Sequence, residues 1–260
     1  MVNHSTLPGV DTLNKILIRM KIRRIITLML TLCACAMQAW SVNPYPQLEQ
    51  RAQRFFTYEE WASAAAMFDL MLEQRPDIPS TYGQAIVANA MRGNTSEQIR
   101  LMSLALDHHV PFDSVFSRVR QWSYHLGKAD IYENFLTLNR EAHPWMRRTI
   151  DAQLLKYYTF RRNGPEMITY SQRMLAGAPD NIGFLYTLAS GQLLTGKSSE
   201  GIATLLRILS LDPDNYDTLV MLGNWYAEHP SPSISPLTYL NHAYSLRPTP
   251  YVASLIESLR

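Results

Sequence analysis

One stretch of the chain has the spacing of a phosphate-binding loop. Residues 191–198 read Gly-Gln-Leu-Leu-Thr-Gly-Lys-Ser, which fits G-x-x-x-x-G-K-[ST], a pattern whose backbone amides cradle the phosphates of a nucleotide. That chemistry requires the loop to connect a buried strand to the N-terminus of a helix. Residues 184–189 have the apolar spacing of a helix instead, and no apolar strand ending in aspartate follows to hold Mg²⁺. We therefore predict an ordinary turn between two helices at Gly196–Lys197 and no nucleotide partner.

Other groups that could bind a metal or transfer a proton are not arranged for either chemistry. Adjacent side chains on a helix point about 100° apart, so His108 and His109 do not complete a metal site with Asp107. Glu59 and Glu60 diverge for the same reason, and we interpret them as first-turn residues favoured by the helix dipole. No motif for a nucleophile and its base is present. The sequence predicts a protein that is not an enzyme and that has no catalytic residue, cofactor or metal.

Basic side chains are concentrated in residues 147–173, which carry an excess of four positive charges. This predicted basic patch contains Arg147, Arg148, Arg161 and Arg162. Two interpretations stay open, a solvated helix face or a docking patch for an acidic peptide, a glycan or a lipid head group. The whole chain has 24 basic and 22 acidic residues and a net charge of +2, which gives no support to a nucleic-acid partner. Its 47% of hydrophobic residues excludes a disordered protein.

The N-terminus has the layout of a secretory signal peptide. Basic residues in 20–24 precede thirteen uncharged, mainly apolar residues, 25–37, and small residues follow. The apolar run is shorter than the ~20 residues of a membrane span. We predict that Met20 is the true start, that residues 1–39 form a leader, and that residues 40–260 form the mature domain. Cleavage after Ala36 and cleavage after Ala39 both stay open.

A second interpretation of residues 1–39 is the signal sequence of a lipoprotein. Residues 32–35 read Leu-Cys-Ala-Cys, similar to a bacterial lipobox in which Cys35 would be the lipidated first residue. Neither of the two cysteines is then available for a structural disulfide. Residues 1–39 also hold five basic and one acidic side chain, so the remainder has a net charge of −2 and no cysteine if cleavage follows Ala39.

The rest of the chain is organised by a period of about 34 residues. Prolines 33 to 35 residues apart follow the ends of predicted helices, which proline cannot continue: Pro76, Pro111, Pro144, Pro179, Pro213 and Pro248. Glycine turn signals stand midway between several of them, where a left-handed residue would end a first helix: Gly93, Gly127, Gly164 and Gly196. Between these markers apolar residues recur at i, i+3, i+4 and i+7, as in Ala64, Met67, Phe68 and Met71.

Two helices, a tight turn and a closing proline every 34 residues resemble the tetratricopeptide repeat (TPR). The resemblance covers Tyr45 to Pro248 and implies six repeats, although Tyr132 and Met167 replace the usual alanine of the family. The implied fold is all-α, a right-handed α-solenoid of helix-turn-helix units. Residues 251–260, with apolar residues on one face, are predicted to be a helix that caps the stack.

The resemblance also implies where a partner would bind, because the first helix of each repeat in this family lines a concave groove. A position count along each repeat gives the groove residues Gln53, Phe56, Val87, Gln121, Tyr124, Lys156, Phe160, Tyr186, Leu193, Trp225 and His229. Aromatic side chains with a few polar groups suit a peptide. The family's clamp for the terminal carboxylate of chaperones is not reproduced, since Glu49, Gln53 and Gln84 stand at its polar positions.

Together these observations predict an exported scaffold of the bacterial cell envelope, in the periplasm or at the outer membrane, that binds a protein or peptide in its groove. One alternative is a lipid-anchored accessory subunit of an envelope assembly or secretion complex. An alternative from another class is a carbohydrate-capture protein. Any contact with a membrane would be made through Cys35.

Overall fold

The computed structural model of the chain describes residues 44–260, so the predictions about Met20, Cys35 and the leader lie outside the described residues. Within this range the bounds of thirteen α-helices, in chain order, are α1 Tyr45–Thr57, α2 Trp61–Gln74, α3 Pro79–Met91, α4 Thr95–Asp107, α5 Phe112–His125, α6 Ala129–Ala142, α7 Arg147–Phe160, α8 Gly164–Ala176, α9 Ile182–Leu194, α10 Ser198–Leu211, α11 Tyr216–Glu228, α12 Pro236–Leu246 and α13 Pro250–Ser258. A short 3₁₀ turn, Pro144–Met146, precedes α7.

The chain divides into two compact units, residues 1–76 and residues 77–260. The described part of the first unit is the helix pair α1 and α2. Phe56 of α1 and Phe68 of α2 are both buried, with their ring centroids 5.9 Å apart, and Trp61 packs edge-on against Phe56 at 5.2 Å. Aromatic packing across a three-residue turn therefore holds this hairpin together.

The second unit contains α3 to α13. Helices joined by tight turns run antiparallel, and α3 with α4 and α9 with α10 pack as such pairs. Helices α11 and α12, joined by residues 229–235, also pack against each other. Helices α3 and α5, the first helices of neighbouring pairs, also pack against each other. First helices begin every 33 to 35 residues along the chain, from Tyr45 of α1 to Pro250 of α13. The predicted all-α, TPR-like fold is confirmed, and the count of six repeats stays a prediction.

The last helix packs as its apolar face predicts. Val252 and Ile256 of α13 are buried against Leu240 of α12. The proline- and serine-rich residues 229–235 replace the glycine turn between α11 and α12, as the sequence indicates. Among residues 44–260, every helix is too short or too polar to cross a membrane.

Five of the turns that join the two helices of a pair contain one left-handed residue, and in one of the five the sequence prediction of that residue is wrong. Gly93, Gly127 and Gly196 have positive φ as expected. Between α7 and α8, however, the left-handed residue is Arg162, with φ 53°, and Gly164 is the buried first residue of α8. A Cβ on Gly164 would lie 2.7 Å from Thr195 Cγ2 and 3.2 Å from a backbone oxygen of α9. Glycine is required there for close helix packing rather than for the turn.

The strained turn leads to a prediction about stability. Replacing Arg162 with glycine should raise the free energy of unfolding by about 0.5–1 kcal/mol, because a left-handed side chain costs roughly 1–2 kcal/mol, partly offset by the greater chain entropy of glycine. Arg161 has an ordinary right-handed conformation with φ −78°, so Arg161→Gly should instead lose about 0.5–1 kcal/mol. Urea unfolding of the two variants measures both effects. Equal stabilities would show that the turn stores no strain.

Candidate functional site

A concave pocket of about 540 Å³ lies between α5 and α7, with α6 beneath it. Its volume is within the roughly 300–1,000 Å³ of typical ligand sites. Helix α5 packs closely on α3, and α6 packs on both α5 and α7, whereas α5 and α7 make little direct contact. This gap leaves the space open. We call it the aromatic pocket, and it is lined by Ser117, Arg120, Gln121, Tyr124, Tyr132, Gln153, Lys156, Tyr157 and Phe160.

Two exposed aromatic rings form the outer wall of the aromatic pocket. Tyr124, near the end of α5, is 37% exposed, and Phe160, the last residue of α7, is 74% exposed. Their ring centroids are 6.1 Å apart and their planes meet at 71°. Covering such rings removes apolar surface from water, which stabilises a complex by roughly 25 cal/mol per Å². The wall is thus suited to an apolar side chain of a ligand.

The floor of the pocket consists of two buried tyrosines. Tyr132 of α6 and Tyr157 of α7 meet edge-on, with ring centroids 6.3 Å apart. The Tyr132 hydroxyl donates a hydrogen bond of 3.3 Å to Oε1 of Gln153. Burial raises the pKa of Tyr132 to about 12 and that of Tyr157 to about 12. Both phenols are therefore protonated and neutral at physiological pH, so the floor contributes hydrogen bonds rather than charge.

Two cations stand at the rim. The side chains of Arg120 and Lys156 are exposed, and neither makes a hydrogen bond or ion pair with another residue in the range 44–260. Gln121 beside them accepts a hydrogen bond of 2.9 Å from Nη1 of Arg118. Glu133 on α6 accepts a 2.6 Å hydrogen bond from Tyr158, a residue outside the pocket lining. The rim therefore presents two positive charges, and none of the nine residues that line the pocket is acidic.

The structure brings together four of the eleven predicted groove residues. Gln121, Tyr124, Lys156 and Phe160 all line the aromatic pocket. They meet because α5 and α7 are the first helices of successive pairs and present equivalent faces. The position count thus selects residues of α5 and α7 that the structure places around one pocket, and binding of a partner there stays a prediction.

The other predicted groove residues lie elsewhere. Tyr186 of α9 and Trp225 of α11 are half-buried and pack against an apolar cluster that includes Leu222. Gln53 is half-buried on α1, in the first unit. The prediction that Phe56 lines a groove is wrong, because its side chain is only 4% exposed. Its ring is enclosed by the aromatic side chains of α2, so it belongs to the core and not to a groove.

The remaining three predicted groove residues lie in different surroundings. Val87 is fully buried in α3, and Leu193 is half-buried against the cluster around Leu222. His229 is exposed and stacks on Trp225, with ring centroids 4.2 Å apart and an angle of 10° between the planes. Its ring nitrogen lies 3.0 Å from the Trp225 carbonyl oxygen. The stack is thus fixed by a local contact one turn along the helix.

The prediction from sequence missed five pocket residues, Ser117, Arg120, Tyr132, Gln153 and Tyr157. A signal for some of them was present. Arg120 is one helical turn before Tyr124, and Gln153 is two turns before Phe160, so each shares a face with a predicted groove residue. Tyr132 belongs to a second helix, and its size where the family prefers alanine was the only indication of its role.

The predicted basic patch is not a single surface. Arg147 and Arg148 are in the first turn of α7, whereas Arg161 and Arg162 follow its last residue. A helix of this length separates its ends by about 20 Å. The first two arginines also have local neighbours, since Nη2 of Arg147 lies 3.7 Å from Glu141 Oε2 and the Arg148 guanidinium lies against Gly177. The four side chains therefore do not converge on one ligand.

The loop that resembles a phosphate-binding motif is the turn that the sequence predicts. Gly191 is within α9, Gly196 is left-handed with φ 77°, and Lys197 directly precedes α10. A Cβ on Gly191 would lie 3.0 Å from both Gly164 O and Met167 Cβ. The first glycine of the pattern is thus explained by the close approach of α8 and α9.

The candidate metal and acid–base residues occupy helix ends. Asp107 is the last residue of α4, His108 follows it, and His109 is left-handed with its Nδ1 3.1 Å from the Asp107 carbonyl oxygen. Glu59 adopts the left-handed conformation in the connection between α1 and α2, and Glu60 directly precedes α2. Neither glutamate therefore lies within the first turn of a helix. Over residues 44–260, no three His, Cys, Asp or Glu side chains are grouped so that they could hold a metal ion.

No protein-family model matches this chain, and no curated protein sequence matches it. Solved structures with similar helices include the C-terminal part of a TPR repeat-containing protein from Cytophaga hutchinsonii, with 13% identity and a TM-score of 0.45 over 76% of this chain and 78% of that one. Another is MamA from Desulfovibrio magneticus, with 14% identity and a TM-score of 0.37 over 83% and 97% of the two chains. A third is the TPR2AB domain of yeast Sti1 in complex with pHSP90, with 13% identity and a TM-score of 0.35 over 83% and 98%. At these scores, the fold assignment rests on the helix pairs described above.

Proposed function

We propose that the chain is a non-enzymatic scaffold that holds a peptide segment of a partner protein in the aromatic pocket. One observation carries the proposal: a concave site of about 540 Å³ places exposed Tyr124 and Phe160 beside Arg120 and Lys156, two cations without a partner among the described residues. Aromatic residues and arginine are the groups most enriched where proteins bind one another. An apolar wall with polar groups around it matches the general composition of such sites.

A peptide fits this arrangement better than a sugar ring does. The planes of Tyr124 and Phe160 meet at 71°, so they form a corner for one apolar side chain rather than a flat platform on which a sugar could stack. The side-chain amides of Gln121 and Gln153 supply hydrogen-bond donors that suit backbone carbonyl groups. Oε1 of Gln153 already accepts from Tyr132, which orients its amide group.

We further propose that the chain works outside the cytoplasm, in the cell envelope. The support is the sequence of residues 20–37, a basic stretch followed by a short apolar run. Intact-mass analysis of the protein purified from its host tests this location. A diacylated N-terminal Cys35 would favour the lipid-anchored accessory subunit, a free N-terminus after Ala36 or Ala39 would favour the free scaffold, and an unprocessed chain would contradict export.

Removing the aromatic wall should weaken peptide binding strongly. Peptides are selected from a random display library against the full chain, and their dissociation constants are measured for Tyr124→Ala/Phe160→Ala. We expect affinity to fall at least tenfold, because truncation of a central aromatic anchor usually costs about 2 kcal/mol or more.

The matched control is Tyr244→Ala/Trp145→Ala, which removes two aromatic side chains that are exposed to similar degrees, 40% and 67%, outside the pocket. Peptides should bind this control as tightly as they bind the wild type. Equal losses in the two double variants, or no loss in either, would place the binding surface elsewhere and refute the proposal.

A further inference from the structure

The geometry points to a specific partner for the aromatic pocket: we infer a peptide that carries an acidic side chain and an aromatic side chain two residues apart. The inference rests on the proposed function and adds the chemistry of the peptide. Two observations support this peptide: the order of basic and aromatic residues along α5 and α7, and the charges of the side chains around the pocket.

The two helices carry the same short pattern. Arg120 is four residues before Tyr124 on α5, and Lys156 is four residues before Phe160 on α7. Residues four apart on a helix are neighbours on one face, about 5–6 Å apart at Cβ. The pocket therefore has a cation row and an aromatic row, separated by one helical turn along the helix axes.

This separation fixes the spacing in the peptide. In an extended chain, side chains at i and i+2 point to the same side and are about 6.5 Å apart. A peptide lying along the pocket can therefore place an aromatic side chain between Tyr124 and Phe160 and a carboxylate near Arg120 and Lys156 only if one residue separates the two. Directly adjacent residues would point to opposite sides.

The charges around the pocket favour an acid over a base. Arg120 and Lys156 line the pocket and form no hydrogen bond or ion pair within residues 44–260, whereas the Glu133 carboxylate, which accepts a hydrogen bond from Tyr158, is not part of the lining. Asp113, on the first turn of α5, is about two helical turns from Arg120. A carboxylate in the cation row would gain two opposite charges, whereas a basic side chain there would meet two like charges.

The test uses acetylated and amidated nonapeptides with fluorescent labels, so that no terminal carboxylate can act as the acid. The central triplets are Glu-Ala-Phe, its reverse Phe-Ala-Glu, Lys-Ala-Phe, and Ala-Glu-Phe, in which the acid and the aromatic are adjacent. Fluorescence anisotropy with the full chain should show that the tighter of the first two binds at least tenfold better than Lys-Ala-Phe and measurably better than Ala-Glu-Phe. Raising the salt from 50 to 500 mM should weaken that complex severalfold.

Charge reversal separates recognition from folding. Arg120→Glu/Lys156→Glu should lose the acidic peptides and prefer Lys-Ala-Phe, a gain that an unfolded protein could not show. Lys197→Glu/Arg260→Glu changes the net charge equally, away from the pocket, and should keep the original preference.

Equal affinity for acidic and basic peptides, or unchanged preference after charge reversal, would overturn the inference. The proposed function would survive that result if the display-selected peptides still depended on Tyr124 and Phe160. Binding that is indifferent to those two aromatics would overturn both.

Discussion

Replacing Asp151 with asparagine is expected to lower the free energy of unfolding by about 2–3 kcal/mol, since removing one partner of a buried ion pair is strongly destabilising. The Arg140 guanidinium would keep only its 2.8 Å contact with the exposed Glu141 carboxylate. Asp151 of α7 is only 7% exposed. It receives a 2.6 Å bond from Nε of Arg140 and a 3.4 Å bond from Nη2, and Arg173 of α8 lies 4.0 Å away. The hydrogen bond to Asp151 raises the pKa of the Arg140 guanidinium. One carboxylate thus ties α6, α7 and α8 together.

The matched control is Asp180→Asn. Asp180 is paired with Arg207 at a similar distance, 2.8 Å, but both side chains are at least half exposed. An exposed pair contributes roughly 0–1 kcal/mol because water and salt screen it. Urea unfolding of the two variants measures the difference. If Asp151→Asn loses no more stability than Asp180→Asn, the buried network does not hold α7 in place.

Replacing Gly83 with alanine is expected to lower the free energy of unfolding by about 2–3 kcal/mol, the cost of overpacking a buried contact. Gly83 is buried in α3, where an added Cβ would overlap Cβ of Arg118 on α5 and lie 3.1 Å from its carbonyl carbon. A change of rotamer cannot relieve this overlap, because the backbone fixes these atoms. The gain of about 1 kcal/mol in helix propensity from glycine to alanine is too small to offset it.

Gly183→Ala is the control for this substitution. Gly183 is also helical, in α9, but the nearest atom to an added Cβ is Asn181 Oδ1 at an ordinary 3.4 Å. That variant should be as stable as the wild type, or more stable by up to about 1 kcal/mol. Thermal unfolding of both variants checks the contrast. A Gly83→Ala protein with wild-type stability would mean that α3 and α5 separate freely.

Both destabilising substitutions also bear on the pocket. Asp151 holds α7, which carries Lys156 and Phe160, and Gly83 sets the close approach of α3 to α5, which carries Arg120 and Tyr124. Catalytic and binding groups act only when packing holds them in place. We therefore expect weaker peptide binding in both variants even under conditions in which they remain folded.

The fold could be predicted from the sequence because its signals are local. Proline ends a helix wherever it falls, a left-handed glycine closes a turn, and apolar residues at helical spacing mark the buried face. These rules act within a few residues, so a period of about 34 residues in the sequence became a period of 33 to 35 in the helix starts. The same rules correctly placed the resemblance to a phosphate-binding loop at a turn between helices.

The turn between α7 and α8 shows where local rules fail. Gly164 has the residue type of a turn, but it is buried where α8 meets α9, and Arg162 adopts the left-handed conformation instead. A glycine can serve a turn or a close contact, and its neighbours in sequence do not distinguish the two. That choice depends on a helix almost thirty residues further along the chain.

The candidate site was predicted in part for the same reason. By itself the sequence determined which helices come first in each pair and which of their faces would be shared, and the predicted residues Gln121, Tyr124, Lys156 and Phe160 do line one pocket. Only the tertiary structure decided that Phe56 is enclosed while Phe160 is exposed, and that Tyr132 and Tyr157 form the floor of the aromatic pocket. Burial depends on which side chains of other helices cover a residue, and a pocket is a place where packing between helices is missing. The periodic pattern of the sequence predicts the packing within each helix pair, but it does not predict such a gap between pairs.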